Sequence, residues 1–210
     1  CAFDGNYITD QDTNKLLTRN IVFPCDWRFN SGDILSFRTW EQFERLTDDF
    51  EISDGVTLGP DGYTFQRYLI RAETADKRKV SARLTYVWGD FYSGKRDSWG
   101  TQLNFQPGPR LFLSTEYRQN DVRLPEGNFV VRLFRVRLDL ALNPNLSWFT
   151  LVQYDTVSDV LGLSTRIRWI IEPGNDLFLV FKQRWLDEEE GGFRSVGREA
   201  QFKVRYTYRF

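Results

Sequence analysis

The chain has 210 residues and carries 28 Lys+Arg against 29 Asp+Glu, a balance that gives no general attraction to nucleic acid or anionic surfaces. Its mean hydropathy is −0.48, and its longest apolar runs, such as "LFLVF", reach about five residues where a membrane-spanning helix needs roughly 20. Histidine is absent, which removes Ser-His and Cys-His catalysis, imidazole acid–base chemistry and imidazole metal sites.

In chain order, residues 1–19 read as an extracellular loop or a truncated start, and 20–210 as the β-barrel region. Neither an initiator Met nor a signal peptide is present, as in a mature or truncated product. Cys1 and Cys25 form neither a metal pattern nor a disulfide framework, so Cys25 reads as an ordinary strand residue. An alternative makes Cys1 a lipidated N-terminus.

Eleven strand segments follow, near 20–30, 33–46, 63–73, 79–89, 98–106, 110–119, 128–142, 146–155, 161–171, 176–186 and 199–210. Short links ("NSGD", "TADKRK", "QPGPR", "NPN", "EPGND") alternate with long ones ("TDDFEISDGVTLGPDG", "GDFYSGKRDS", "NDVRLPEG", "DTVSDVLG", "LDEEEGGFRSVGR"). This rhythm predicts a meander whose two rims face different compartments.

Each segment has two unlike faces. Val80, Ala82, Leu84, Tyr86 and Trp88 oppose Ser81, Arg83 and Thr85. Phe134, Val136, Leu138, Leu140 and Leu142 oppose Arg135, Arg137 and Asp139. A period of two with one apolar face is a β-strand between two media. Aromatics recur near strand ends, among them Tyr117, Trp148, Tyr154, Trp169 and Trp185, as interfacial girdles require. The fold expected is all-β, an antiparallel up-and-down transmembrane β-barrel of about 10–12 visible strands. The odd count predicts a C-terminal piece of a larger barrel.

On this expectation the polar face lines a lumen through Arg83, Glu116, Arg135, Arg137, Asp139, Asp155, Arg166, Arg168 and Arg205, with Arg184 and Arg209 in the same arginine set. These arginines read either as an anion-selective passage or, preferred here, as a structural ladder pairing with Glu116, Asp139 and Asp155. Glu41, Glu44, Glu116, Asp139 and Asp155 supply carboxylates for a glycoside-type hydrolase, although neutralising the arginines is the simpler role. Asp187, Glu188, Glu189 and Glu190 form an acidic run that lacks calcium-liganding spacing and reads as solvated. No catalytic residue, metal ligand or cofactor is assigned, and Gly-rich phosphate loops and nucleophile elbows are absent.

The ending "VRYTYRF" resembles the C-terminal strand read by the barrel-assembly machinery, carried here by Val204, Tyr206, Tyr208 and Phe210. The small residue usual in such strands is not obvious. Over about 20–210, the segments "FNSGDILSFRTWEQFERLTDDFEIS", "YRQNDVRLPEGNF", "LVQYDTVSDVLGLSTRIRW" and "PGNDLFLVFKQRW" resemble the C-terminal barrel of an uncharacterised bacterial outer-membrane family. In that family the barrel follows a domain like a family-nine carbohydrate-binding module. The resemblance implies outer-membrane lipid and the assembly machinery as partners, and a saccharide held by an N-terminal domain that has no positions in this sequence. The function expected is a Gram-negative outer-membrane anchor or conduit linked to saccharide uptake. The alternatives are a barrel-borne carboxylate-dependent hydrolase and a soluble lipocalin-like ligand binder.

Overall fold

The computed structural model describes residues 1–188 and 191–207. Its strands are β1 (Asp4–Thr9), β2 (Leu16–Arg28), β3 (Ile34–Arg45), β4 (Phe50–Ser53), β5 (Val56–Leu58), β6 (Gly62–Glu73), β7 (Val80–Phe91), β8 (Gly94–Gly108), β9 (Leu111–Leu124), β10 (Gly127–Asn143), β11 (Leu146–Asp155), β12 (Val160–Glu172), β13 (Asn175–Glu188) and β14 (Gly192–Arg205). Twelve form one sheet in the order β1-β2-β3-β6-β7-β8-β9-β10-β11-β12-β13-β14, and β4 with β5 forms a separate hairpin. Every pairing whose register is defined is antiparallel.

The sheet is open. Its order begins at β1 and ends at β14, and these two do not pair among the described residues. A barrel requires every strand to have two partners, so the expected transmembrane barrel is corrected to an open antiparallel sheet. The outer-membrane location, the lipid and the assembly machinery as partners rested on closure and are withdrawn with it. No helix among the described residues is long and apolar enough to cross a membrane, which bears on helices alone.

The expected rhythm of long and short links is also corrected. "GDFYSGKRDS" is strand up to Phe91 and again from Gly94, leaving a turn at Tyr92 and Ser93. "NDVRLPEG" is strand to Leu124 and again from Gly127. "TDDFEISDGVTLGPDG" holds the β4–β5 hairpin. Polar composition suggested loops, but a polar segment keeps its ladder when the neighbouring strand extends beside it.

The chain divides into two compact units, the first holding 1–75, 83–101 and 118–131, the second 76–82, 102–117 and 132–210. In unit 1, Val56 and Leu58 of the hairpin bury against Val122 and Leu124 of β9, with Leu46, Ile52, Phe91, Tyr92 and Phe129 around them. Gly127 lies under this hairpin, with room for no Cβ beside Val56.

Unit 1 also holds a disulfide between Cys1 and Cys25, which corrects the reading of Cys25 as an ordinary strand residue. Continuing the β1–β2 register beyond Asp4↔Val22 by three positions sets Cys1 opposite Cys25. The Cα atoms are 4.0 Å apart. The sulfur of Cys1 is therefore committed, and a thioether-linked lipid there is excluded. In sequence the two cysteines are 24 positions apart, a spacing that signals nothing until β1 folds back on β2.

In unit 2 the buried positions among the described residues are polar, Ser81, Ser114, Asp176 and Gln183, whereas unit 1 buries Ser36 and Arg67 beside apolar side chains such as Phe65 and Leu69. Large apolar side chains such as Leu84, Phe134, Ile167, Leu179 and Phe202 are exposed. Register explains the split, since successive side chains on a strand point to opposite faces.

Candidate ligand-binding face

In unit 2, register alone gathers the polar side chains. Arg135 stands opposite Gln153 and Arg137 opposite Leu151 between β10 and β11. Between β11 and β12, Phe149 faces Arg166 and Leu151 faces Ser164. Ser164 then faces Lys182, which faces Glu199 on β14. Arg135, Arg137, Asp139, Asp155, Arg166, Arg168 and Arg205 thus occupy one face of the sheet. Arg83 belongs to unit 1, where it donates to Glu73 at 2.9 Å.

The members of this face have different partners. Arg135 reaches Glu116 at 3.2 Å and the Gln153 side-chain oxygen at 3.0 Å. Arg137 donates to Asp139 at 2.7 Å, and its guanidinium lies over the Phe112 and Phe149 rings. Arg166 also lies over Phe149. Asp155 instead accepts the backbone N–H and hydroxyl of Ser158, capping its own turn. Arg168 and Arg205 share Asp176, at 3.1 and 3.3 Å. Asp176 is 2% exposed and escaped the sequence reading because it follows a Pro-Gly turn, where an aspartate is common.

The carboxylates proposed for hydrolysis do not form a free pair. Glu116 and Asp139 are each held by an arginine, whereas a general acid must be able to keep its proton. Glu41 and Glu44 lie in unit 1, the first paired with Arg19 and the second accepting the Tyr92 hydroxyl at 3.0 Å. In the acidic run, Asp187 accepts the Tyr154 hydroxyl at 3.0 Å and Glu188 pairs with Arg194. Glu189 and Glu190 lie outside the described residues. Of the expected recognition strand, Val204 pairs with Leu177 and Tyr206 is 72% exposed beyond the end of β14. Tyr208, Arg209 and Phe210 lie outside the described residues.

A cleft of about 650 Å³ opens over the polar face of β11 to β14. Gln153, Asp155, Ser164, Lys182, Arg184 and Glu199 supply its polar lining. Lys182 pairs with Glu199 at 3.3 Å. Arg184 is different: it pairs with no carboxylate among the described residues, and its guanidinium lies across Gly197, 3.1 Å from where a Cβ would stand. Buried Gln183, which also lines the cleft with Arg198, donates to Ser195 at 2.6 Å and accepts from Arg198 at 2.8 Å, fixing β13 against β14. Lys182, Gln183 and Glu199 were not legible as site residues, because a strand's cross-strand neighbours depend on register.

No protein-family model matches this chain, and no curated protein matches it. One solved structure, "NanC porin structure in rhombohedral crystal form", is 9% identical with a TM-score of 0.37, covering 98% of each chain. No family is shown. A likeness this slight carries no argument about fold or function. The resemblance to an outer-membrane barrel family with a carbohydrate-binding module is corrected accordingly, and so is the saccharide partner it implied.

Proposed function

We propose that this chain is a ligand-binding β-sheet protein whose unit 2 cleft takes a small polar carboxylate. The observation that carries the reading is Arg184: a cation without a carboxylate partner among the described residues, in a cleft where hydrogen-bonding groups stand beside Leu151, Val160 and Leu163, with Gly197 leaving space above β14. A guanidinium presents a planar fork of donors that matches a carboxylate in two bonds. Gln153 and Ser164 offer further donors and acceptors to hold the rest of such a molecule.

This keeps the ligand-binding alternative drawn from the sequence and changes its interior. A lipocalin-like binder would turn its apolar set toward the ligand, whereas here the cleft lies on the polar face. The Cys1–Cys25 disulfide supports an oxidising compartment outside the cytoplasm as the place of action.

Titration calorimetry with succinate tests the reading. Saturable binding that weakens about tenfold or more in Arg184→Gln is expected, and Gly197→Leu, which fills the space beside the guanidinium, is expected to abolish it. Equal binding in both variants would overturn the assignment of the site.

A further inference from the structure

Unit 1 carries a second arginine cluster, on β3, β6 and β7, that the function proposed above does not use. Register places Trp40 opposite Arg67, Arg38 opposite Leu69 and Ser36 opposite Arg71. Arg38 is therefore the diagonal neighbour of both Arg67 and Arg71, at about 7–8 Å between backbones, within reach of long side chains. Across the next pairing, Glu73 faces Arg83.

The carboxylates on this face are already engaged. Glu73 takes Arg83 at 2.9 Å and Arg71 at 3.6 Å. Asp26, opposite Ser36, accepts the hydrogen bond of that hydroxyl, which is the leading cause holding its carboxyl below the ordinary range. Glu44 is held by the Tyr92 hydroxyl. Arg38 and Arg67 are in no ion pair with a carboxylate among the described residues.

Arg67 is the telling member. It is 5% exposed, and its Nε has no hydrogen-bond partner. Its guanidinium lies between the Trp40 ring, 5.3 Å away, and the Phe91 ring, 5.9 Å away. Aromatic faces attract the charge but accept none of its in-plane N–H bonds. The Nε atoms of Arg38 and Arg71 are likewise buried without a partner. Burial, and with it the neighbouring charges of Arg38 and Arg83, pulls Arg71 below its ordinary value against the opposing carboxylates of Glu73 and Asp26. Like charges brought together out of water need a counter-charge.

We infer that Arg38, Arg67 and Arg71 form an anion site on the polar face of β3 and β6, built for a doubly charged tetrahedral oxyanion such as phosphate or a phosphate monoester. Several oxygens in different directions suit guanidinium groups arriving from two strands, and each oxygen accepts from the fork of one arginine. The Trp40 and Phe91 rings hold Arg67 in its orientation before the anion arrives, which lowers the ordering cost of binding.

The test is thermal unfolding of the full chain with increasing inorganic phosphate, against sodium chloride at matched ionic strength. The expected result is a saturating rise in Tm with phosphate and none with chloride. Arg38→Gln, at a half-buried position and so the safer variant for folding, is expected to weaken the apparent phosphate affinity about tenfold or more. Arg67→Gln is expected to abolish the response. Equal phosphate protection in wild type and Arg38→Gln overturns the site, as does a chloride effect as large as that of phosphate. Arg184→Gln leaves this response intact if the two sites are separate; loss of the phosphate response in that variant overturns the assignment to unit 1.

Discussion

The disulfide from Cys1 to Cys25 joins the chain just before β1 to the second half of β2, across a register that already sets the two residues face to face. β1 is a terminal strand of the sheet and among the described residues pairs with β2 alone, so the bond clamps an element that would otherwise fray. By loop closure a bond of this span is worth about 3 kcal/mol. Reduction, or Cys25→Ser, is expected to speed amide exchange across Asp4–Thr9 while β3 and β6 keep their protection. Unchanged exchange in β1 after reduction would show that its pairing is self-sufficient.

Asp176 is the shared partner of Arg168 and Arg205, and it is 2% exposed while the two arginines are 42% and 57% exposed. Breaking a fully buried pair costs about 3–5 kcal/mol. Solvent reaches both guanidinium groups, so Asp176→Asn is expected to cost about 2 kcal/mol. Urea unfolding checks the value. A loss shared with Arg205→Gln, with the double variant no worse than Asp176→Asn alone, locates the effect in the pair.

Tyr92 sits at the β7–β8 turn with a φ of 47°, an uncommon conformation for an aromatic residue. Its ring is packed by Tyr63, Phe65 and Phe91, and its hydroxyl donates to Glu44. Burial, and then the Glu44 carboxylate, pushes the phenol well above its ordinary value. A raised pKa means that the folded state holds the proton more tightly. The contribution is whole below about pH 10, the unfolded value, and is lost as pH rises above it. Tyr92→Phe is expected to cost about 1 kcal/mol at pH 7 and to flatten the decline in stability that begins above about pH 10. Denaturant unfolding on both sides of that pH reads both effects.

Gly89 combines a φ of 136° with a close approach: a Cβ would stand 2.3 Å from the Gln66 carbonyl oxygen. Both atoms belong to backbone, so neither can swing aside. Gly89→Ala is expected to destabilise by about 2–3 kcal/mol, through strain and separation of β6 from β7. Calorimetric unfolding tests this, with Gly59→Ala as the control, since nothing lies near a Cβ there.

The amino-acid sequence by itself determined that the chain would be strand after strand, and which side chains would share a face. Alternation such as Phe134, Val136, Leu138 against Arg135, Arg137, Asp139 is read locally, because the side-chain period of a strand is a property of one backbone. The absence of histidine likewise limited the chemistry without any fold. What needed the tertiary structure was everything that depends on a partner strand. Register put Cys1 on Cys25, Arg168 and Arg205 on Asp176, and Arg38 between Arg67 and Arg71. Closure belongs to the same class. Long and short links suggested a barrel, but whether the first strand meets the last is decided by summed twist and stagger over the whole sheet, and no single segment carries that sum.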